Sequence, residues 1–434
     1  MSDELQLLIE KLVYGGDGLG HADGNTVFAP YVLPGEEIRA EMTSRKKKLV
    51  WAKPLEILKA NPARVKPLCP HFGTCGGCHY QQASYQAQVN FKIEILRETL
   101  SRMGGVNSTG EITPHTAEPL HYRNRAQWAV SNANPRALGY YLPDSNAIVP
   151  IDHCDVLSPG LADTFARLQE ITRSAALPSE VLEIEAFVDS SDEKIALNVA
   201  FKEFRNPVPE LTRLFHDTVP ALHSLLLLDQ KKNRFELSGP GYLVQEAGGY
   251  QFRVSHLSFF QVNRFLVEDL LRTVIAGATG DLAFDLYAGV GFFTLPLTKT
   301  FQRVVSVDAN LSATRNLREN ADTANMSIVS QHVQTEKFLK TATEAPDFVV
   351  LDPPRAGLGP ASARKLADLG PKEIAYLSCD PSTLARDLAI LMQTPRKPAD
   401  SATAHRYEIT SMDFFDLFPQ TYHIEALVRL RRMG

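Results

Sequence analysis

Apolar and polar positions alternate along the first part of the chain, and this alternation predicts short β-strands. It is found in the runs LQLLIEKLV, NTVFAPYV and EEIRAEM, which are separated by GGDGLG and by Pro34-Gly35. Gly-rich and Pro-Gly sequences are typical of tight turns between strands. We therefore predict a small antiparallel β-barrel of five strands over residues 1–56.

The hydrophobic period changes after this region. The segment SYQAQVNFKIEILRETLSRM has apolar residues at helical spacing, at Val89, Ile93, Leu96 and Leu100. Strand-like segments follow it along the chain. We predict a helix here, within a central α+β domain over residues 67–260.

From residue 261 onward, apolar strand-like runs alternate with helical segments. The runs are DLAFDLY, RVVSVDA, DFVVLD and EIAYLS. This alternation is typical of βαβ units around a parallel sheet. Residues 261–434 are therefore expected to form a Rossmann-like α/β domain.

The composition is that of an ordinary globular protein, with 44% hydrophobic and 22% charged residues among 434, which excludes a disordered or fibrous chain. No apolar run is long enough for a membrane span, and the polar start MSDELQ predicts no signal peptide. Five cysteines in such a chain suit a reducing cytoplasm and act as ligands or nucleophiles. We expect a cytoplasmic monomer with no membrane partner.

The net charge of −5 gives no general signal for nucleic acid, but the charge is unevenly distributed. Residues 39–66 contain nine Lys or Arg and two Glu, a local charge of +7, with Lys46, Lys47 and Lys48 in succession. This patch is a candidate phosphate-binding edge of the barrel. A solvated run of charges is the alternative interpretation.

Arg123 and Arg125 open the strand-rich part of the central domain and are predicted to share one face of a strand. Their guanidinium groups would suit phosphates or an unstacked base of RNA. A solvated strand face is again the alternative.

A turn after the apolar run LAF carries Asp285, Gly289 and Gly291. Glycines at the end of a strand allow the backbone to approach a ligand closely. Thr294 stands where the dinucleotide fingerprint requires a third small residue, which disfavours NAD. Asp308 ends the next strand, where a carboxylate can accept hydrogen bonds from ribose hydroxyls. The combination resembles the S-adenosylmethionine site of Rossmann-like methyltransferases, and a simple turn is the alternative.

Two later strands end in Asp352-Pro353-Pro354-Arg355 and Ser378-Cys379-Asp380-Pro381. A thiol beside a methyl donor can activate carbon 5 of a pyrimidine by adding to carbon 6. A base must then remove the proton from carbon 5. Glu425 is the candidate base because it interrupts an apolar strand at a cost in desolvation. His423, expected on the same strand face, is an alternative base. A structural role is the alternative for both residues, with Cys379 as a buried small apolar residue and Glu425 as a glutamate that faces water.

Four further cysteines have a spacing that is typical of a metal centre. They are Cys69, Cys75, Cys78 and Cys154, in which the first three form C-x5-C-x2-C among glycines. Four thiolates suit tetrahedral zinc or an iron-sulfur cluster, and the spacing does not choose between them. His71 and His79 lie near these cysteines in the sequence and are also ligands that zinc accepts, so zinc stays an alternative.

In order and spacing, the segments SFFQVN, DLYAGVGFFTLPL, LDPPRAG, SCDPSTLARDL and FPQTYHIE resemble those of the RNA uracil-5-methyltransferases, which make 5-methyluridine. The resemblance covers essentially the whole chain, and its start is similar to the small RNA-binding TRAM barrel. It implies that Cys379 is the nucleophile and Glu425 the base. It also implies that Asp352 contacts the cofactor or holds the target uracil.

The same resemblance implies that Gln261, Tyr287 and Asp308 bind S-adenosylmethionine, with Gln334 on the adenine side. It favours a 4Fe-4S cluster over zinc at the four cysteines, in a structural role. Phe292 stands where the family commonly has Asn, so we leave Phe292 out of the site.

Barrel and cysteines together look most like the bacterial enzymes that act on 23S ribosomal RNA. RNA rather than DNA is therefore the expected partner, and the T-loop uridine of transfer RNA is the alternative substrate. An amino-methyltransferase also carries an Asp-Pro-Pro motif, but it has no use for Cys379 and Glu425. The other rival is a non-catalytic RNA-binding or ribosome-assembly protein that retains the fold.

Overall fold

The computed structural model describes residues 4–106, 110–131, 133, 135–143, 145–392 and 405–433. The chain divides into two compact units. Unit 1 comprises Met1–Glu98, Tyr140–Ile151 and Phe418–His423, and unit 2 comprises Thr99–Gly139, Asp152–Leu417 and Ile424–Gly434. Within the described residues, the helices are all too short or too polar to cross a membrane.

Strands dominate the first part of the chain and then mix with helices. The first elements are β1 (Glu4–Leu12), β2 (Gly18–Ala22), β3 (Asn25–Ala29), β4 (Glu37–Lys46), β5 (Leu49–Lys59), α1 (Tyr85–Gly104), β6 (Ile112–His115), β7 (Arg125–Ser131), β8 (Ala137–Tyr141) and β9 (Ile148–Pro150). The next are α2 (Pro159–Arg173), β10 (Val181–Val188), β11 (Ile195–Phe201), α3 (Val208–Thr218), β12 (Leu222–Asp229), β13 (Arg234–Ser238), β14 (Tyr242–Ala247) and β15 (Tyr250–Ser255).

The remaining elements follow the start of the predicted α/β region. They are α4 (Val267–Ile275), β16 (Gly280–Leu286), α5 (Thr294–Leu297), β17 (Phe301–Asp308), α6 (Leu311–Thr323), β18 (Val329–His332), α7 (Thr335–Thr341), β19 (Phe348–Leu351), α8 (Pro360–Leu369), β20 (Glu373–Ser378), α9 (Pro381–Met392), β21 (Tyr407–Phe415) and β22 (Glu425–Arg432).

The first five strands form a closed barrel in the order β1-β2-β3-β5-β4, which confirms the predicted five-stranded barrel. The expectation of a wholly antiparallel barrel is wrong at one pair, because β3 and β5 run parallel where the barrel closes. Its alternating apolar residues form the core, namely Leu7, Ile9, Val27, Ala29, Val32, Ile38, Ala40, Val50 and Ala52. Glu36 is completely buried beside this core and accepts hydrogen bonds from the Arg64 guanidinium, Nε at 2.5 Å and Nη2 at 2.7 Å. The main-chain N–H of Leu33 also donates to Glu36, at 2.8 Å.

The predicted helix is confirmed as α1. Val89, Leu96 and Leu100 are buried, whereas Ile93 is only half-buried. Lys92 is buried on the same helix, and its Nζ donates to the carbonyl oxygen of Phe418 at 3.0 Å.

A mixed sheet in unit 2 has the strand order β13-β12-β11-β10-β7-β8. β11 and β12 are parallel and are joined through α3, and the other neighbours are antiparallel. β7 begins at Arg125, so the prediction that Arg123 and Arg125 lie on one strand is wrong. Arg123 precedes the strand because its N–H and carbonyl pair with Val156 and Ser158 instead of a neighbouring ladder.

The second sheet of unit 2 has the order β18-β17-β16-β19-β20-β22-β21-β6. The strands from β18 to β20 are parallel, β22 runs antiparallel to β20, and β21 runs antiparallel to β22. This confirms the predicted Rossmann-like sheet. The strand order reverses at β16, and in such sheets ligands bind at the carboxyl ends of the strands near this point.

Candidate active site

The turn after β16 has the backbone conformation that its glycines predict. Tyr287, Gly289 and Gly291 have φ values of +66°, +55° and +96°. The N–H groups of Tyr287 and Ala288 both donate to the carbonyl oxygen of Val307, at 2.9 and 3.0 Å. A Cβ atom on Gly289 would meet no heavy atom within 4 Å, so the turn is open on the side where a ligand would approach.

Asp285 lies beneath this turn and is 1% exposed. The hydroxyl of Thr294 donates to its Oδ2 at 2.5 Å. Burial, together with the nearby Asp308 and Asp352, raises the pKa of Asp285 to about 7. The residue that disfavoured a dinucleotide site, Thr294, is thus a support for the carboxyl group below the turn.

Asp308 closes the other side of the turn. Its Oδ2 accepts the N–H of Gly289 at 2.8 Å, and its Oδ1 accepts the N–H of Asn310 at 2.7 Å. Each carboxylate oxygen can accept a second hydrogen bond. Gln334 lies at the same edge, at the residue before α7, because the pairing of β17 with β18 continues to the N–H of Val333, which donates to the carbonyl of Asp308 at 3.1 Å.

Cys379 and Glu425 meet through the register of β20 and β22. Ser378 pairs with Ala426 in this antiparallel ladder, so the residue after Ser378 lies opposite the residue before Ala426. Glu425 is 5% exposed, and its Oε1 has no hydrogen-bond partner among the described residues. A buried acceptor without a partner costs about 1–3 kcal/mol, which is the cost expected for a carboxyl group kept ready for a substrate.

Three acidic or thiol groups influence one another at this edge of the sheet. Burial raises the pKa of Cys379 to about 12, and the negative charges of Glu425 and Asp352 contribute, whereas Arg355 lowers it. Burial also raises the pKa of Asp352, to about 7, and that of Glu425. Burial therefore favours the protonated form of all three groups in the absence of substrate.

Gln261, which lies outside the sheet, is next to Asp352. Its Nε2 lies 3.4 Å from Oδ2 of Asp352, and the residue is 7% exposed. The structure thus brings together Cys379, Glu425, Asp352 and Gln261, and it places the glycine turn at the neighbouring strand end.

Two sequence expectations near this site differ from the structure. Glu425 begins β22 rather than interrupting it, so strand alternation does not place His423 on its face. His423 lies in the preceding segment, where its ring contacts Phe418 and Tyr422 at centroid distances of 5.3 and 4.5 Å. Phe292 packs in an aromatic cluster with Phe252, Phe260 and Phe293, at centroid distances of 5.9, 5.4 and 4.9 Å.

The predicted metal ligands are less clearly arranged. Cys69, Cys75, Cys78 and Cys154 are all half-buried. The N–H of Gly77 lies 3.4 Å from Sγ of Cys75. In the described ranges, however, no three or more His, Cys, Asp or Glu side chains form a group that could hold a metal. The four-cysteine centre therefore stays a prediction.

The basic residues predicted to bind RNA lie in different environments. Lys46, Lys47 and Lys48 are exposed around the turn from β4 to β5. Arg123 donates through Nε to the carbonyl of Arg125 at 2.8 Å. Arg125 is half-buried and engages Glu185 and main-chain carbonyls.

The sequence analysis did not identify Thr294 or Arg355 as functional. The signal for Thr294 was its position in the glycine turn, and the signal for Arg355 was its place directly after Asp-Pro-Pro. Neither pattern reveals the partner, since Asp285 and Cys379 become neighbours of these residues only in the folded sheet.

Comparisons with known proteins indicate one family of enzymes. A sequence model of the family described as tRNA (Uracil-5-)-methyltransferase matches residues 84–433. An uncharacterized RNA methyltransferase of Thermotoga maritima is 30% identical, over 98% of each chain. The 23S rRNA (uracil(1939)-C(5))-methyltransferase RlmD of Alkalilimnicola ehrlichii is 31% identical, over 99% of this chain and 97% of the relative.

A solved structure is similar over nearly the whole length. It is the Pyrococcus abyssi tRNA (uracil-54, C5)-methyltransferase in complex with S-adenosyl-L-homocysteine. The TM-score is 0.77 at 25% identity, and the match covers 98% of this chain and 100% of the other.

Proposed function

Because this chain belongs to the tRNA (uracil-5-)-methyltransferase family and is an S-adenosylmethionine-dependent RNA methyltransferase, we propose that it modifies uridine through a covalent adduct to Cys379. The observation that carries this proposal is the β20–β22 register, which sets a thiol opposite a buried carboxyl group with an unpaired oxygen. A carbon-5 mechanism needs both groups, and amino-group methylation needs neither.

The reaction begins at the thiol. Cys379 gives its thiol proton to solvent water, and its sulfur forms a bond to carbon 6 of the uracil, which moves the electron pair of the 5,6 double bond into an enolate. Carbon 5 then attacks the methyl group of the sulfonium, and S-adenosylhomocysteine leaves. Glu425 removes the proton from carbon 5, the double bond re-forms, and the thiolate is expelled.

The residues around the glycine turn would hold the methyl donor. Asp308 accepts the ribose hydroxyls, and Gly289 and Gly291 allow the main chain to approach the ligand. Tyr287 and Gln334 flank this edge, and the buried Asp285 supports the turn from below. Gln261 would also bind the donor, and Asp352, 3.4 Å from its side chain, would contact the donor or hold the uracil. Bound S-adenosylmethionine supplies the electrophilic methyl group.

A covalent trap tests the mechanism. RNA that contains 5-fluorouracil has no removable proton at carbon 5, so the methylated adduct cannot be released. We expect a protein–RNA band on a denaturing gel that requires S-adenosylmethionine and is absent with Cys379→Ala. Cys379→Ala retains binding of both ligands within a few-fold, because the thiol acts only after binding. Turnover by Cys379→Ala, or no trapped band with active wild-type protein, would refute the adduct.

Glu425→Gln tests the base separately. It preserves shape but cannot accept a proton, so methyl transfer proceeds and elimination stalls. With unmodified RNA, Glu425→Gln accumulates the adduct and His423→Ala does not. The reverse pattern would identify His423 as the base.

We propose ribosomal RNA as the substrate, with transfer RNA as the second candidate. Two full-length relatives are named 23S rRNA (uracil(1939)-C(5))-methyltransferases, at 31% and 28% identity. The similar solved structure is a tRNA (uracil-54, C5)-methyltransferase at 25% identity. Transcripts of both RNAs are incubated with enzyme and donor, and 5-methyluridine is located by mass spectrometry of nuclease fragments. We expect product in the rRNA segment; product only in the T-loop would contradict this.

We also propose that Cys69, Cys75, Cys78 and Cys154 hold a 4Fe-4S cluster in a structural role, with zinc as the alternative. The support is the donor chemistry of four thiols and the N–H of Gly77 directed at Cys75. Anaerobically purified protein should absorb visible light and contain iron and sulfide, and Cys75→Ser should lose both and unfold more readily. A colourless preparation with one equivalent of zinc would exclude the cluster and leave the methylation proposal intact.

A further inference from the structure

The segment that carries Gln261 is held by a buried polar network that the chemical steps do not use. This segment, residues 256–262, follows β15, and we name it the Gln261 loop. Its residues belong to no strand or helix. Its carbonyl groups therefore need partners outside a regular hydrogen-bond ladder.

Arg125 supplies two of these partners. Its Nη1 donates to the carbonyl of Ser258 at 2.7 Å, and its Nη2 donates to the carbonyl of His256 at 3.0 Å. The same guanidinium makes two bonds to Glu185, Nε to Oε1 at 2.7 Å and Nη2 to Oε2 at 3.1 Å. A planar group with five N–H donors in fixed directions can make all four contacts, and an ammonium group cannot.

Asn198 and His256 extend the network. Nδ2 of Asn198 donates to Oε2 of Glu185 at 2.5 Å and to the carbonyl of His256 at 3.2 Å. Burial lowers the pKa of His256 to about 4, so its ring is neutral at pH 7. The two ring nitrogens lie 2.5 Å from Oδ1 of Asn198 and 2.7 Å from Oγ of Ser224. These hydrogen bonds thus fix the position of the start of the loop and the orientation of the His256 ring.

Hydrogen bonds also hold the C-terminal end of the Gln261 loop and Ser258 within it. Asn124, next to Arg125 in the chain, donates through Nδ2 to the carbonyl of Gln261 and through its main-chain N–H to the carbonyl of Val262, both at 3.0 Å. Nδ2 of Asn316, on α6, donates to the hydroxyl of Ser258 at 2.8 Å. The loop therefore connects β7 to the helix that follows Asp308.

We propose that Arg125, together with Glu185, is a positioning residue that sets Gln261 against Asp352, rather than a contact to RNA. This inference rests on the proposed role of Gln261 in binding S-adenosylmethionine. The guanidinium makes four hydrogen bonds within the fold with its five donors, and its side chain is 15% exposed. A shift of about 1 Å in a positioned group is sufficient to reduce catalysis substantially.

The test uses Arg125→Lys, which keeps the charge but not the planar group, and Glu185→Gln, which removes the charge that orients it. Arg136→Gln is the matched control. Arg136 is another half-buried arginine of unit 2, and it donates to the carbonyls of Leu177 and Pro178 at 2.8 and 3.3 Å. Thermal melting establishes that each variant is folded at the assay temperature.

Two binding measurements separate positioning from RNA contact. Calorimetry without RNA gives the affinity for S-adenosylmethionine, and filter binding at several salt concentrations gives the RNA affinity and its salt slope. Arg125→Lys and Glu185→Gln should each weaken S-adenosylmethionine binding about tenfold and lower kcat, with RNA affinity and salt slope unchanged. The double variant should lose little more than either single one, because both act through one contact. Arg136→Gln should bind both ligands like the wild type.

Three results would overturn the proposal. One is wild-type affinity for S-adenosylmethionine in both Arg125→Lys and Glu185→Gln. Another is an Arg125→Gln variant whose RNA salt slope falls by about one, which identifies a phosphate contact. The third is an equal loss in Arg136→Gln, which identifies a general effect of removing a buried arginine. Failure of wild-type protein to methylate RNA would refute the proposed substrate, whereas a donor-affinity loss limited to the two network variants would still support the positioning role.

Discussion

Burial and charge both disfavour ionisation of the proposed nucleophile. The thiolate is the reactive form of cysteine, yet burial and the two nearby carboxyl groups hold the pKa of Cys379 near 12. Arg355 acts in the other direction. The free enzyme therefore keeps its thiol protonated at neutral pH, and this protects it from oxidation until a substrate is bound.

This environment predicts how Cys379 reacts with iodoacetamide. Below its pKa the thiolate fraction rises tenfold for each pH unit, so alkylation should rise about tenfold per unit from pH 7 to 9. Asp352→Asn removes a negative neighbour, lowers the pKa of Cys379, and should speed alkylation at pH 8 about three- to tenfold. Mass spectrometry of the peptide that contains Cys379 measures the rate. A rate that is constant above pH 7 would contradict the raised pKa.

At this scale the sequence predicted residue types better than their partners. Cys379 and Glu425 were predicted to act as a chemical pair, and the β20–β22 register brings them opposite one another. The proposed positioning role of Arg125, for which the sequence suggested RNA contact, was not predictable from sequence. Glu185 lies 60 residues away, and a sequence pattern does not show hydrogen bonds to main-chain carbonyl groups. The aromatic packing of Phe292 was likewise not predictable from sequence, since its partners Phe252 and Phe260 come from distant segments.

Among the elements, those with a strong period were predicted most reliably. The barrel strands, α1 and the parallel strands from β16 to β20 appear where the alternation or helical spacing indicated. Strand beginnings were less predictable: β7 begins at Arg125 and β22 at Glu425. A strand begins where pairing with a neighbour begins, and the neighbour is not specified by local sequence.

The barrel offers a stability prediction at this scale. Glu36 is buried and paired with Arg64, whereas its neighbour Glu37 forms an exposed pair with Lys59 at 3.6 Å. Glu36→Ala leaves the half-buried guanidinium of Arg64 and the N–H of Leu33 without their acceptor and should cost about 3 kcal/mol. The control Glu37→Ala should cost less than about 1 kcal/mol.

The chain has two tryptophans, and Trp51 lies in the barrel. Its fluorescence during urea unfolding of a Trp128→Phe background reports the barrel alone. Equal midpoints for Glu36→Ala and Glu37→Ala would show that the buried pair does not hold the barrel together.

Across the whole molecule, charge is separated by region. The chain carries −5 overall, but residues 39–66 carry +7. Long-range attraction of RNA by the entire protein is therefore unfavourable, and contact with phosphates is confined to local patches. This distribution favours RNA binding that is oriented from the first encounter.

Neutralising the basic turn of the barrel tests this idea. Replacement of Lys46, Lys47 and Lys48 by Gln should reduce the slope of log affinity for RNA against log salt by about 2, because up to three phosphate contacts are lost. Binding of S-adenosylmethionine should not change.

The control for this variant has the same change in net charge. Lys194, Lys231 and Lys232 are exposed in unit 2, and their replacement by Gln should leave the salt slope unaltered. Equal slopes for the two triple variants would mean that total charge, rather than the barrel turn, governs RNA binding.

The position of β22 has a consequence for the order of folding. β22 lies between β20 and β21, and both of these strands precede it in the chain. β21 therefore has no place beside β20 until β22 inserts between them. Glu425 is the first residue of β22, so the proposed base reaches Cys379 only as this insertion occurs. If these roles hold, completion of the sheet and acquisition of turnover are a single event, because a chain with an incomplete sheet has the proposed nucleophile but lacks the proposed base that releases the product.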